Sequence, residues 1–184
     1  PHIQPPGATL FGTMRLAGSL PEAAIRRLRD EREARRKSIE QMTAPLELKQ
    51  GFLYDEDKRF FGRYDALLDQ TAGGPLWLND AQVAALVGEA IRYRDGRLYD
   101  LIAFCLMPNH VHLVFTPLSK ADHQYHALAR IMQGLKGYTA REANRILGRK
   151  GAFWQHESYD HYARNPDELT RIVGYVLANP VRAG

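Results

Sequence analysis

His110-Val111-His112 stands inside an apolar, strand-like run from 104 to 115. Side chains alternate across an extended strand, so both imidazoles leave one face, with Cα atoms roughly 6.6 Å apart and able to share one cation. Val111, Leu113 and Phe115 take the other face, so the histidines are not members of the apolar stripe. Nearer the C-terminus, Tyr175 and Asn179 are four residues apart. On a helix, that spacing sets a phenol and a carboxamide side by side, about 6 Å apart along the axis. Two imidazoles can hold a cation that polarises a phosphate, and a phenol beside them can attack it. Residue types alone leave a plainer reading open. Backbone or carboxylate partners could satisfy the histidines, Tyr175 could be a core aromatic with Ile172 and Val176, and Asn179 could cap a helix before Pro180.

The elements that would position these groups can be read from periodicity. A first strand is expected over 8–16. Ser19, Pro21 and Glu22 read as a helix start, opening an arginine-rich helix over 22–42 whose mixed charges suit a solvated face. From 43 to 77 Pro45, Gly51, Gly62, Gly73, Gly74 and Pro75 punctuate the chain, predicting a variable surface connection with a helical turn. Leu78-Asn79-Asp80 opens a helix with Val83, Leu86, Val87, Ala90 and Ile91 on one stripe. Strands over 98–107 and 111–116 follow, turning at Pro108-Asn109, and then a helix over 126–147 that Gly148 stops. A short strand within 153–159 and a last helix opening at Asn165-Pro166 and ending at Pro180 complete an α+β pattern, an antiparallel sheet with packed helices.

The 184 residues suit one domain, 1–184, and the 45% hydrophobic content is enough for a core without disulfides. No apolar stretch approaches the roughly 20 residues of a membrane span, and no secretion signal opens the chain. A single cysteine, Cys105, predicts a reducing, cytoplasmic setting. The net charge of +4 and a pI near 9.3 lean towards a polyanionic partner. The acidic residue that a metallo-β-lactamase needs two positions on is replaced by Val114, and an amidohydrolase barrel needs far more chain.

Leu106-Met107-Pro108-Asn109-His110-Val111-His112-Leu113-Val114, Gly151-Ala152-Phe153-Trp154-Gln155 with Tyr159-Asp160, and Tyr175-Val176-Leu177-Ala178-Asn179-Pro180-Val181-Arg182-Ala183-Gly184 occur in this order. With Thr13-Met14-Arg15-Leu16 and Leu135-Lys136-Gly137-Tyr138, the set resembles the REP-associated tyrosine transposases of the single-tyrosine HUH endonuclease superfamily. The resemblance touches nearly the whole chain apart from 43–74. It implies a ferredoxin-like fold, His110 and His112 as metal ligands, Asn179 as the third ligand, and Tyr175 as the nucleophile, with Tyr159 and Tyr138 as alternatives. It further implies a Mg²⁺- or Mn²⁺-dependent endonuclease and strand transferase that acts on single-stranded DNA at palindromic hairpins through a 5′-phosphotyrosine. No nucleotide cofactor is expected, the oligomeric state is open between monomer and dimer, and the expected place of action is the cytoplasm, at the nucleoid. Relatives usually continue past the position of Gly184, so a longer natural chain is expected. Lys136, Arg141, Arg145, Arg149, Lys150 and Trp154 are the candidate DNA contacts, although a solvated helix face explains the basic residues as well. The alternative from a different class is a hairpin-binding regulator on the same scaffold without turnover.

Overall fold

The computed structural model describes residues 4–70, 73–120 and 124–182, with backbone alone at 180–182, so Ala183 and Gly184 of the C-terminal motif lie outside the described residues. The chain forms two compact units, residues 1–17 with 75–184, and residues 18–74. The first is an α+β unit. Strands β1 (Leu10–Arg15), β2 (Tyr99–Leu106), β3 (His110–Pro117) and β4 (Tyr159–Tyr162) make an antiparallel sheet in the order β2-β3-β1-β4.

Register sorts the side chains into two faces. Leu10 pairs with Phe115 and Gly12 with Leu113, whereas Phe11 pairs with Val114 and Thr13 with His112. Leu10, Met14, Val111, Leu113 and Phe115 therefore share the face that packs on two helices of the unit 1–17 and 75–184. These are the third and fourth helices of the chain, α3 (Ala81–Tyr93), through Val83, Val87 and Ile91, and α4 (Leu128–Ile146), through Leu128, Ile131 and Leu135. Asp80 caps α3 by accepting from the amides of Gln82 and Val83, and Gly148, at φ +61°, follows the C-cap of α4. The opposite face carries Phe11, Thr13, His110 and His112 and receives α5 (Pro166–Arg182), whose Glu168 meets His161 of β4 at 2.9 Å. The expected strand at 153–159 is instead β4, shifted to Tyr159–Tyr162, with only an isolated bridge between Trp154 and Leu16 before it. α5 also runs through Pro180 to Arg182, past the expected stop; the proline gives up its own N–H bond and crowds the carbonyl four residues back, a cost confined to the last turn of the helix.

Residues 18–74 fold as a helical hairpin, α1 (Glu22–Gln41) and α2 (Leu46–Gln70). α2 corrects the expectation of a loose connection over 43–77. Pro45 immediately precedes the helix, where a missing N–H costs nothing, and Phe60, Tyr64 and Leu68 form a buried stripe at a spacing of four that outweighs Gly51 and Gly62. The Ser19 cap does not form either. Pro21 is the N-cap residue, with no side-chain bond, and its carbonyl accepts from Ala24 and Ile25. Ion pairs tie the two helices of the hairpin together: Arg32 and Arg36 of α1 meet Asp57 of α2 at 2.8 and 3.0 Å, and Arg63 of α2 meets Glu31 of α1 at 2.6 Å. Residues 18–74 contain eleven basic and eleven acidic residues, so the whole net charge of +4 belongs to the unit with the histidines. A polyanion is thus drawn towards that unit rather than the hairpin.

Candidate active site

β3 alternates, so His110 and His112 project from one face, and their Nε2 atoms converge to 3.0 Å. Both rings are fully buried. The other nitrogen of each ring is tied down: His110 Nδ1 lies 2.7 Å from Asn109 Oδ1, and His112 Nδ1 lies 2.9 Å from Thr13 Oγ1. An amide oxygen only accepts, so Nδ1 of His110 carries the proton and its Nε2 keeps a lone pair. Thr13 can donate or accept. His112 can therefore give an Nε2 proton to His110 in the metal-free protein, or hold that proton at Nδ1 and turn a second lone pair to the same point. Two convergent imidazole lone pairs with oriented outer nitrogens fit a divalent cation. Burial, reinforced by the neighbouring His112, holds the His110 imidazole well below its usual range, which keeps it neutral and ligand-ready at neutral pH. Replacing Thr13 by Val keeps the shape but removes the outer partner of His112. Mn²⁺ affinity, measured by calorimetry, is expected to fall about 10- to 100-fold with the fold retained; an unchanged affinity would rule out the threonine's part.

Tyr175 and Asn179 come from α5 on the same face of the sheet. The Tyr175 ring stands edge-on to His112 at 5.6 Å between centroids and to Phe11 at 6.4 Å. Asn179 is buried, and its Nδ2 donates to the Tyr175 phenol oxygen at 3.0 Å. That bond uses the amide nitrogen and leaves Oδ1, the atom a hard cation would take, for another partner. Of the alternative tyrosines, Tyr159 lies on the same face, 6.4 Å from Phe11, whereas Tyr138 is on α4, across the sheet from the histidines.

The candidate DNA contacts divide. Lys136 Nζ donates to Gln155 O (2.8 Å), His156 O (3.0 Å) and Ser158 Oγ (2.7 Å), so all three ammonium protons are held inside the protein. Trp154 is buried and donates to Thr139 Oγ1 at 2.8 Å, while Phe153 stacks on Trp77. Neither ring offers a face to a base. Arg149 lies 3.6 Å over the Trp77 ring and bonds Asn144 and Ala152. Arg141, Arg145 and Lys150 are exposed, the two arginines sharing Glu142. Lys136, Trp154 and Arg149 thus brace the segment leading to β4, and the exposed trio remains on the surface.

Burial, with the charge of Arg15, pulls the Lys136 ammonium down to about 8. The unfolded lysine titrates near 10.4, so between about pH 8 and 10.4 the unfolded chain binds more protons and this group makes stability rise with pH. Thermal unfolding of Lys136→Met should lack that rise. At neutral pH the variant should lose about 1 kcal/mol through the abandoned acceptors, with the salt dependence of DNA binding unchanged. Arg145→Ala with Lys150→Ala is expected to do the reverse, keeping Tm and reducing the salt slope by about 1 to 2. An equal slope would take these two side chains off the phosphate path.

A family profile described as "Transposase IS200 like" matches residues 81–179, which include both histidines, Tyr175 and Asn179. The chain belongs to the IS200-like transposase family. This IS200-like chain is 24% identical over 91 residues to a Haemophilus influenzae protein provisionally described as a REP-associated tyrosine transposase; the match covers 47% of the chain and about half (52%) of that relative. Among solved structures, a REP-associated tyrosine transposase bound to a REP hairpin aligns over 100% of the chain and 73% of its own, with a TM-score of 0.54 and 17% identity. The fold is the same, and the resemblance read from the motifs stands. Thr13, Asn109 and Phe11 are the neighbours of the site that sequence reasoning missed. Asn109 could have been noticed beside His110, but Thr13 and Phe11 meet the histidine strand only through register.

Proposed function

We propose that this chain is a metal-dependent single-stranded DNA endonuclease and strand transferase that acts at palindromic, REP-type hairpins in the bacterial cytoplasm. The observation that supports this best is the meeting on one sheet face of two imidazole nitrogens 3.0 Å apart with a phenol ring whose centroid lies 5.6 Å from that of His112. His110 and His112 through Nε2, with Asn179 through Oδ1, would hold Mg²⁺ or Mn²⁺. When bound, the ion supplies a positive charge that neutralises a phosphate oxygen and favours attack at phosphorus.

The chain's own residues account for the remaining chemistry. A free phenol is about 0.1% ionised at neutral pH, so it needs help to act as a nucleophile. Asn179 Nδ2 holds the Tyr175 oxygen by a hydrogen bond and fixes the ring, and Phe11 and His112 confine it from two sides. Tyr175 Oη then forms a bond to phosphorus as the bond to the DNA 3′-oxygen breaks. The proton lost by the phenol is balanced by the one gained at the 3′-hydroxyl. The 5′-phosphotyrosine keeps the phosphate bond energy, so a DNA 3′-hydroxyl can reverse the step and join strands without ATP.

Labelled single-stranded DNA carrying a REP-type hairpin, incubated with the chain and Mn²⁺, should give a slow-migrating covalent band on a denaturing gel. Binding without any such band, across hairpins and metals, would instead support the regulator that has lost turnover.

A further inference from the structure

The surface formed by the end of α3 and the exposed side of α4 carries residues that packing does not explain. Gly134, Gly137, Tyr138 and Arg141 share one exposed face of α4. A Cβ at either glycine would meet nothing within 4 Å, so neither is needed by a neighbour in the fold, and each weakens the helix relative to alanine. Tyr138, 41% exposed, has the Arg94 and Arg141 guanidiniums each 5.8 Å from its ring centroid. Arg94 also ties the two helices together, donating to Ala90 O at 2.6 Å and to Gly134 O at 3.2 Å. Next to it Tyr93, 65% exposed, has the Arg97 guanidinium 4.5 Å over its ring. Two accessible phenol rings, four arginines counting Arg145, and a stretch of bare helix backbone therefore adjoin on one surface. Of the nearby carboxylates, Glu142 is engaged by Arg141 and Arg145 and Asp95 by the Leu101 amide, while Glu89, one turn before Tyr93 on α3, is exposed and leaves the cations in excess by number.

We infer that this surface binds unpaired DNA nucleotides flanking the hairpin, with bases stacked on Tyr93 and Tyr138 and phosphates approaching the arginines over Gly134 and Gly137. A duplex presents base edges and phosphates but no open base face, so exposed rings beside cations favour a single strand. α3 and α4 cover the sheet face opposite the histidines, so a strand engaged at Tyr175 would reach this surface by continuing around the sheet edge. The inference rests on the DNA reading above and adds where the unpaired flank runs.

The test compares the full chain with Tyr93→Ala/Tyr138→Ala and Gly134→Ala/Gly137→Ala by fluorescence anisotropy. The probes are a blunt hairpin and the same hairpin with a single-stranded extension on either side. The extension should tighten wild-type binding about tenfold or more, and both double variants should lose most of that gain. The glycine variant should do so while its Tm rises, which a merely structural role would not produce. Retention of the gain in both variants overturns the inference, as does an equal loss on the blunt hairpin, which would mark a duplex contact. Covalent adduct on wild type is read in the same samples; its absence would count against the endonuclease reading and leave the extension measurement intact.

Discussion

Replacing Tyr175 by Phe is expected to abolish the covalent protein–DNA adduct, with cleavage falling at least about a thousandfold and hairpin affinity changing by less than about twofold. The reasoning is local. Phe keeps the ring contacts with His112 and Phe11 that seat α5, so the helix should stay where it is. Only the oxygen is removed, and with it the atom that would bond to phosphorus and the acceptor of the Asn179 amide. The lost hydrogen bond costs about 1 kcal/mol, too little to unfold a domain of this size. Denaturing gels read the adduct, anisotropy reads the affinity, and circular dichroism reads the fold. Adduct formation by the phenylalanine variant would move the chemistry to another side chain, with Tyr159, on the same face, next in line.

The second large effect concerns the histidines. Excess EDTA, or His112→Ala, should each reduce cleavage by about a thousandfold or more, because a cation at a reacting phosphate contributes several kcal/mol of charge stabilisation. The two losses differ in reversibility. Added Mn²⁺ should restore the EDTA-treated protein fully and the alanine variant poorly, since a lone His110 would keep one of two convergent nitrogens. His112→Ala also opens a void beside Phe11 and Tyr175, so its Tm must be followed. His112→Gln, which keeps bulk and a polar tip, separates packing from ligation. Cleavage that persists in EDTA would remove the metal from the proposal whatever the variants do.

The motif pieces were legible because each is local. His110-Val111-His112 needs only the period of two in a strand, and Tyr175 with Asn179 only the period near four in a helix. The helices over 81–93 and 128–146 were equally readable from their apolar stripes, as was the α+β order. α2 was obscured by weighing Gly51 and Gly62 as breakers, although the spacing of Phe60, Tyr64 and Leu68 already carried a helical signal. The candidate DNA contacts could not be sorted from the sequence for a different reason. Composition reports that Lys136, Arg149 and Trp154 are basic or aromatic, but cannot tell an ammonium held by Gln155, His156 and Ser158, or an indole bonded to Thr139, from one that faces solvent.

By itself, the sequence determined which candidate groups stand at a suggestive spacing and on which face of its own element each one lies, since alternation and helical repeat are properties of a few consecutive residues. Only the tertiary structure decided that Thr13 orients His112, that the phenol on α5 meets that histidine, and which basic side chains are turned inward. Those contacts join residues about a hundred, and about sixty, positions apart in the chain. They follow from strand register and helix packing, which are set by the burial of a whole core and leave no mark in any short stretch of residues.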